Sequence, residues 1–400
     1  MDSFWIDPFS FIGSQLAAWL TGLGLAENWV SLILQLVGAL ALGTAVLILT
    51  FLLIWAERKI VARIQDRLGP NRVGPYGIFQ TVADLLKLVT KELITPEGAD
   101  LLPYNLAPLL AVMSVVGLWA VIPMAPTLLG ADIHVGVLYI VSVGSIGTLG
   151  ILLAGLSSNN KYALLGAFRT VALMISYAVP MALALLVPVL LAGSMSMQEI
   201  VLAQKGLPFL LLAPVAALIF FVSSIAEVGR APFDLLEAES EIVAGFHIEY
   251  SGLKFGMFFV AEFLHAFTIS ALTAVLFMGG WRGPWAEQYT ALGFLYFLVK
   301  TSLVYFVVIW IRGSFPRIRI DQMNALNWKL ITPVALAGLV VTAVAEKVAL
   351  ELGAPRLLTH LAGNALLIFA AAAGLGAYAR AARRRSELLA KANKAEAPAG

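Results

Sequence analysis

Nine stretches of the chain run almost without charge, near 30–55, 105–123, 136–156, 169–192, 207–227, 256–279, 290–312, 329–350 and 358–379. Each has about the length a helix needs to cross ~30 Å of hydrocarbon, roughly 20 residues. Hydrocarbon offers the backbone no hydrogen-bond partners, so a spanning segment is either a helix or a strand of a closed barrel. The alternating segments of about ten residues that a barrel requires are absent. The pattern therefore predicts an all-α fold, a polytopic transmembrane helical bundle of about nine spans. No internal repeat with a period of about 20–50 residues is visible.

The polar segments between the spans set the layout. Residues 1–29 form an N-terminal external segment, 30–380 a single transmembrane domain, and 381–400 a basic, alanine-rich tail. Of the 26 basic residues, 21 fall on alternate segments: the loops 56–104, 157–169, 228–255 and 312–329, and the tail. The other side holds Lys205, Arg282, Lys347 and Arg356, and Lys300 lies within a span. The positive-inside rule then puts the N-terminus outside and the C-terminus in the cytoplasm. The first residues (Met1, Asp2, Asp7) carry no basic cluster, so no cleaved signal peptide is expected.

Composition narrows the function classes. The chain of 400 residues is 60% hydrophobic and 12% charged, against roughly 25% charged for a soluble domain. It has no cysteine, which excludes disulfides, Fe–S ligation by this chain and the usual zinc sites. A net charge of +2 gives no basic field for nucleic acid. A haem-bearing quinone enzyme needs histidines paired across helices at one depth; His134, His247, His265 and His360 do not align in this way. No metal site is expected, and no P-loop, GxGxxG or triad pattern stands out.

The remaining charge is concentrated. Asp234, Glu237, Glu239, Glu241 and Glu249 fall within sixteen residues, with Glu227 before them and Glu262 after. Ala231-Pro232-Phe233-Asp234 reads as a helix start, since proline suits the first turn. Such a helix puts Asp234, Glu237 and Glu241 on one stripe, with Glu239 elsewhere. Burial and mutual repulsion push loop carboxylates of this kind towards neutrality, and they titrate as a set. The stripe is then either a proton-uptake site or a solvated acidic face that meets a partner's basic patch. Glu262 and Lys300 lie inside spans, where an ionisable residue faces protein or water; each is either functional or half of an intramembrane ion pair.

The first inner loop is basic. Arg63 and Arg67 share a face if the helix through Glu57-Arg58-Lys59 continues. Gly69-Pro70-Asn71-Arg72-Val73-Gly74-Pro75 must stop any helix. From Tyr76 to Leu93 the pattern is helical again, with Ile78, Val82, Leu85, Leu86, Val89 and Leu93 as an apolar stripe. This segment is too polar to span and reads as an interfacial amphipathic helix. The basic residues are either a topogenic patch against anionic lipid or one wall of a lipophilic pocket. Near the end of the seventh span, Arg317 and Arg319 alternate with apolar residues after Arg312. They are placed to clamp an acidic partner or one of the acids above, or they act only as a stop-transfer cluster.

These loops resemble a known family, the membrane "H" component of respiratory NADH–quinone oxidoreductase (component 1 in mitochondria). The matching text includes Glu57-Arg58-Lys59, Arg67-Leu68-Gly69-Pro70-Asn71-Arg72-Val73-Gly74-Pro75, Ala83-Asp84, Ser158-Asn159-Asn160-Lys161-Tyr162-Ala163-Leu164-Leu165-Gly166, Arg230-Ala231-Pro232-Phe233-Asp234, Glu237-Ala238-Glu239-Ser240-Glu241, Glu249-Tyr250-Ser251-Gly252, Ala261-Glu262 and Pro316-Arg317 with Arg319. The order holds from about residue 30 to 350. The resemblance implies a multi-pass subunit of the bacterial inner membrane that binds no cofactor itself. Quinone would be the substrate, and FMN and Fe–S clusters would sit on partner subunits. It implies that Arg58, Arg63, Arg67 and Asp84 line the quinone chamber, and that Glu227, Asp234, Glu237, Glu239, Glu241, Glu249 and Glu262 form the path coupling quinone reduction to proton transfer. Arg230, Arg317 and Arg319 would be the supporting basic cluster. Implied partners are the peripheral Fe–S and quinone-site subunits and the antiporter-like and small membrane subunits. Alternative readings are an ion-transport subunit and an anchor for a hydrogenase-like complex. The chain departs from the family at Ser176-Tyr177-Ala178-Val179, where Ser-Tyr-Glu-Val is usual, and its last span exceeds the usual eight.

Overall fold

The computed structural model describes residues 7–234 and 244–396, with side chains as far as residue 376 and at Arg380. Among the described residues every regular element is helical. In chain order these are α1 (Pro8–Gly22), α2 (Glu27–Ile64), α3 (Gln80–Thr90), α4 (Leu101–Leu118), α5 (Gly136–Ser157), α6 (Lys161–Ala192) and α7 (Met197–Ala203). After them come α8 (Phe209–Leu212), α9 (Pro214–Val228), α10 (Gly252–Phe277), α11 (Thr290–Ser314), α12 (Ile320–Leu326), α13 (Thr332–Leu352) and α14 (Arg356–Glu396). Eight segments are long and apolar enough to span: α2, α4 with its terminal turn, α5, α6, α10, α11, α12 through α13, and Arg356–Gly376 of α14.

The expected fifth span, 207–227, is broken in two. Pro214 has no N–H to donate and disfavours helical geometry at the residue before it. Ala213 accordingly leaves the helix at φ −131° and ψ 60°, between the four residues of α8 and the fifteen of α9. A carbonyl freed inside a membrane needs a partner. Asn364 of α14 supplies it, donating to the Leu212 carbonyl at 2.9 Å. On the same face of α14, Arg356 and His360 both reach Glu346 of α13, at 2.9 and 2.8 Å. The extra span is thus fixed to the bundle by a polar stripe at i, i+4 and i+8, buried at His360 and Asn364.

Helix α10 is the centre of the bundle. Of its most apolar window 78% is buried, against 17% for the outer α14. The run from Phe263 to Phe277 is buried at almost every position, which explains a span that is apolar all round. Lys300 of α11 forms no ion pair among the described residues. Its ammonium donates to the carbonyls of Met278, Gly280 and Arg282 at 2.8–2.9 Å, capping the end of α10. The described part of the N-terminal segment contains the helix α1. Asp7 accepts from Ser10 N as the cap of α1, Pro8 fills the first turn, and Phe9 meets Phe294 edge-on.

Candidate functional site

Helix α2 is 38 residues long, roughly 57 Å at ~1.5 Å per residue, longer than the ~30 Å hydrocarbon core. Its C-terminal turns carry Glu57, which is 4% exposed. At the same level α9 ends on Gly229, whose φ of 72° is the left-handed conformation that reverses a chain after a helix. The reversal turns Arg230 inward, to 2% exposure. Its Nη1 donates to Glu57 Oε1 at 2.8 Å, and its Nε is 3.2 Å from Glu262 Oε1 on α10. The guanidinium lies over the Phe263 ring, 4.3 Å from the centroid. Arg312 of α11 pairs with the same Glu57 oxygen, and Tyr305 donates to the other at 3.2 Å.

Two carboxylates and two guanidiniums therefore form a network with no formal net charge, buried at Glu57 and Arg230 and partly exposed at Glu262 and Arg312. Its parts come from four separate chain segments. Desolvation of isolated ions at this depth would cost several kcal/mol each, so the balance of charge is what makes the burial tolerable.

A second pair lies next to it along the chain. Arg317 Nη2 is 3.3 Å from Asp234 Oδ2, and the Ile318 N–H donates to the Pro232 carbonyl at 3.0 Å. Burial pushes the Asp234 carboxyl above its ordinary value, and the neighbouring Arg317 and Arg230 pull it part of the way back. Arg317 thus clamps one of the acids. Arg319 forms no ion pair among the described residues; it is exposed and sits at the N-cap of α12. Residues 231–234 form turns, not the expected first turn of a helix. Glu237, Glu239 and Glu241 lie outside the described residues.

Glu249 is held away from this network. Its carboxylate accepts from Asn160 Nδ2 at 2.6 Å and its carbonyl from the Tyr104 hydroxyl at 2.8 Å. Asn160 is also the N-cap of α6, so one side chain ties the α5–α6 turn to the end of the acidic loop. Gly166 assists, because a Cβ there would lie 2.6 Å from the Gly245 backbone. Glu227 lies deeper, on two small cavities of about 70 and 30 Å³ that it shares with His265.

The residues expected at a quinone chamber lie on the outer surface of the bundle's basic end and line neither of those cavities. Arg58 pairs with Asp84 at 2.5 Å, and Gln80 donates to the other Asp84 oxygen at 3.2 Å, so α2 and α3 are joined by charge. The Arg58 and Asp84 side chains keep 41% and 36% exposure, open to a ligand. Arg63 and Arg67 do not share a helix face. Helix α2 stops at Ile64, Asp66 takes a positive φ of 52°, and Arg67 turns back to donate to Gln65 at 2.7 Å. The interfacial helix is also shorter than Tyr76–Leu93. Tyr76 has φ 54° in a tight turn, and the helix runs from Gln80 to Thr90. Val82, Leu86 and Val89 remain exposed along it, the apolar stripe a membrane interface requires.

Sequence reasoning did not single out Glu57, Tyr305 and Arg312 as members of one site. Arg312 has the same local pattern as a charge that stops transfer. Nothing near Glu57 in the chain marks it as the partner of a residue 173 positions away.

Comparison with known proteins agrees with this geometry. A family model described as NADH dehydrogenase matches residues 37–343. The NADH-quinone oxidoreductase H subunit of Dehalococcoides mccartyi (strain CBDB1) is 46% identical over 319 residues, covering 80% of this chain and 88% of the relative. One of the H subunits of Geobacter metallireducens (strain ATCC 53774 / DSM 7210 / GS-15) is 47% identical over 306 residues, 74% of this chain and 92% of the relative. The H subunit of Geobacillus sp. (strain WCH70) is 44% identical over 323 residues, 80% and 97% of the two chains. Identity at this level over most of both chains is decisive: the chain belongs to the family of NADH-quinone oxidoreductase H subunits.

Proposed function

We propose that this chain is the membrane subunit of a proton-translocating NADH–quinone oxidoreductase that forms the membrane side of the quinone chamber and couples quinone reduction to proton movement. It carries no redox centre in this reading; electrons arrive through Fe–S clusters of partner subunits. The observation that carries the proposal is the neutral network of Glu57, Arg230, Glu262 and Arg312. Quinone reduction consumes two protons, and a network in which each carboxylate is held by a guanidinium responds as a unit when one member changes charge. The Arg58–Asp84 pair supports a chamber wall. It joins the end of a span to a helix with an exposed apolar stripe, where a lipid-soluble ring with a long tail meets its first polar groups.

The positive-inside distribution supports placing this end in the cytoplasm. The exposed Arg63, Arg67 and Arg319 lie at this end and are suited to docking peripheral subunits. The test is Arg58→Ala and Asp84→Asn in the assembled complex. Both should raise the quinone KM or lower quinone turnover by about tenfold, the scale of one charged contact, while NADH oxidation by hexacyanoferrate stays at the wild-type rate. Wild-type quinone kinetics in both variants would overturn the assignment of this wall.

A further inference from the structure

The two cavities behind the charge network are stacked along the bundle axis. The larger, of about 70 Å³, is lined among others by Ser114, Met174, Glu227, Glu262 and His265. The smaller, of about 30 Å³, is lined by Met181, Ser224, Glu227, His265 and Ile269 among others. On α6 the lining moves from Met174 to Met181, about two turns or ~10 Å. On α10 it moves from Glu262 and His265 to His265 and Ile269. Glu227 and His265 are the two titratable side chains common to both. They stand at the boundary, one on α9 and one on α10.

Each cavity exceeds the ~10–15 Å³ one water requires, and each offers it at least three polar neighbours. A further observation points to water in the deeper one. Ser224 is fully buried, its Oγ has no hydrogen-bond partner, and it lines that cavity. A helical serine commonly bonds the carbonyl four residues back, as Ser176 and Ser270 do here. Ser224 instead presents its hydroxyl to the space beside Glu227 and His265. Helix α6 contributes Met174 to the larger cavity and Met181 and Leu185 to the smaller, none of which titrates. Ala178 lies between Met174 and Met181 on α6, one turn from each, and ends in a methyl group.

We propose that His265 is a proton-transfer residue acting with Glu227, passing protons between the two cavities at the level where α6 offers only Ala178. This rests on the coupling function proposed above and names a group that carries it. The Glu227 carboxyl gives its proton, through water, to one ring nitrogen of His265. The products are a carboxylate and an imidazolium, so the pair keeps its total charge. The imidazolium then gives the proton on its other nitrogen to water held beside Ser224 in the deeper cavity, and Glu227 is reprotonated from water in the larger one. Imidazole suits this step because its two nitrogens face different directions and either can hold the proton. The other charged group on the larger cavity, Glu262, is already engaged by Arg230.

The test uses the intact complex in lipid vesicles, with NADH-driven proton uptake as the readout. His265→Gln keeps size and polarity but cannot carry a proton; His265→Leu removes both. Both variants should lower proton uptake by at least about tenfold, the lower range of acid–base effects, with hexacyanoferrate reduction unchanged. Ala178→Glu in the His265→Leu background puts a carboxylate at the same level and should restore most of the uptake. Wild-type uptake in His265→Gln, or no recovery with Ala178→Glu, would overturn the proposal. A wild-type complex that oxidises NADH with hexacyanoferrate yet does not reduce quinone would overturn instead the coupling function on which it rests.

Discussion

Arg230 and Glu57 are 173 positions apart in the chain, and their side chains meet at 2.8 Å, both almost wholly withdrawn from solvent. The contact joins the end of the 38-residue helix α2 to the turn that opens the acidic loop. Removing one member of such a network leaves an uncompensated buried charge, at a cost of about 3–5 kcal/mol. Glu57→Gln should therefore lower the melting temperature of the complex or reduce the amount of this chain found in it. The double variant Glu57→Gln with Arg312→Gln restores charge balance and should lose less than the two single variants added together. Strictly additive losses would show that the two side chains do not interact.

Arg317 tunes Asp234. Burial raises the Asp234 carboxyl, and Arg317 is the first of the groups that lower it. In Arg317→Gln the proton should stay on Asp234 to higher pH, visible in an infrared titration of the protonated carboxyl. The contribution of a raised acid to stability is complete below its unfolded value and lost as pH rises through its folded value. In the variant that loss should move to higher pH, and the acid limb of the quinone-reductase profile should move with it. An unchanged titration would mean that the ion pair does not form in solution.

Lys300 offers the opposite case, an intramembrane charge with a structural task. Its three carbonyl contacts close the end of the central helix. Lys300→Met should destabilise the complex by about 2 kcal/mol or more, the scale of hydrogen bonds to a charged group. Complexes that do assemble should pump at near wild-type rates. A pumping defect larger than the assembly defect would place Lys300 in the proton path.

Topology can be tested directly, because the chain contains no cysteine. A cysteine introduced at Arg63 should react with a membrane-impermeant maleimide only in inside-out vesicles, and one at Lys205 only in right-side-out vesicles. The reverse pattern would invert the orientation proposed here.

The spans were legible because twenty apolar residues without charge have one low-energy arrangement in a bilayer, and α2, α5, α10 and α11 lie where the pattern puts them. The break at Ala213 was encoded by Pro214, but proline is tolerated inside spans, as Pro108, Pro180 and Pro188 show, so its effect is decided by tertiary partners such as Asn364. The polar side of the site was half legible. Arg230, Asp234, Glu262 and Arg317 stand out as charges at span ends. Glu57, Tyr305 and Arg312 acquire meaning only when α2 and α11 are brought to α9 and α10, a long-range pairing without local periodicity. The continuation of a helix from Arg63 to Arg67 failed at Asp66, whose positive φ no spacing rule anticipates.

The central claim is that the charge network and the Glu227 carboxyl behind it carry the proton coupling together. Glu227→Gln in the purified complex, reconstituted in vesicles, tests it most directly. NADH-driven quinone reduction and proton uptake should fall together by at least about tenfold, with hexacyanoferrate reduction unchanged. A Glu227→Gln complex that reduces quinone and takes up protons at the wild-type rate would contradict the account.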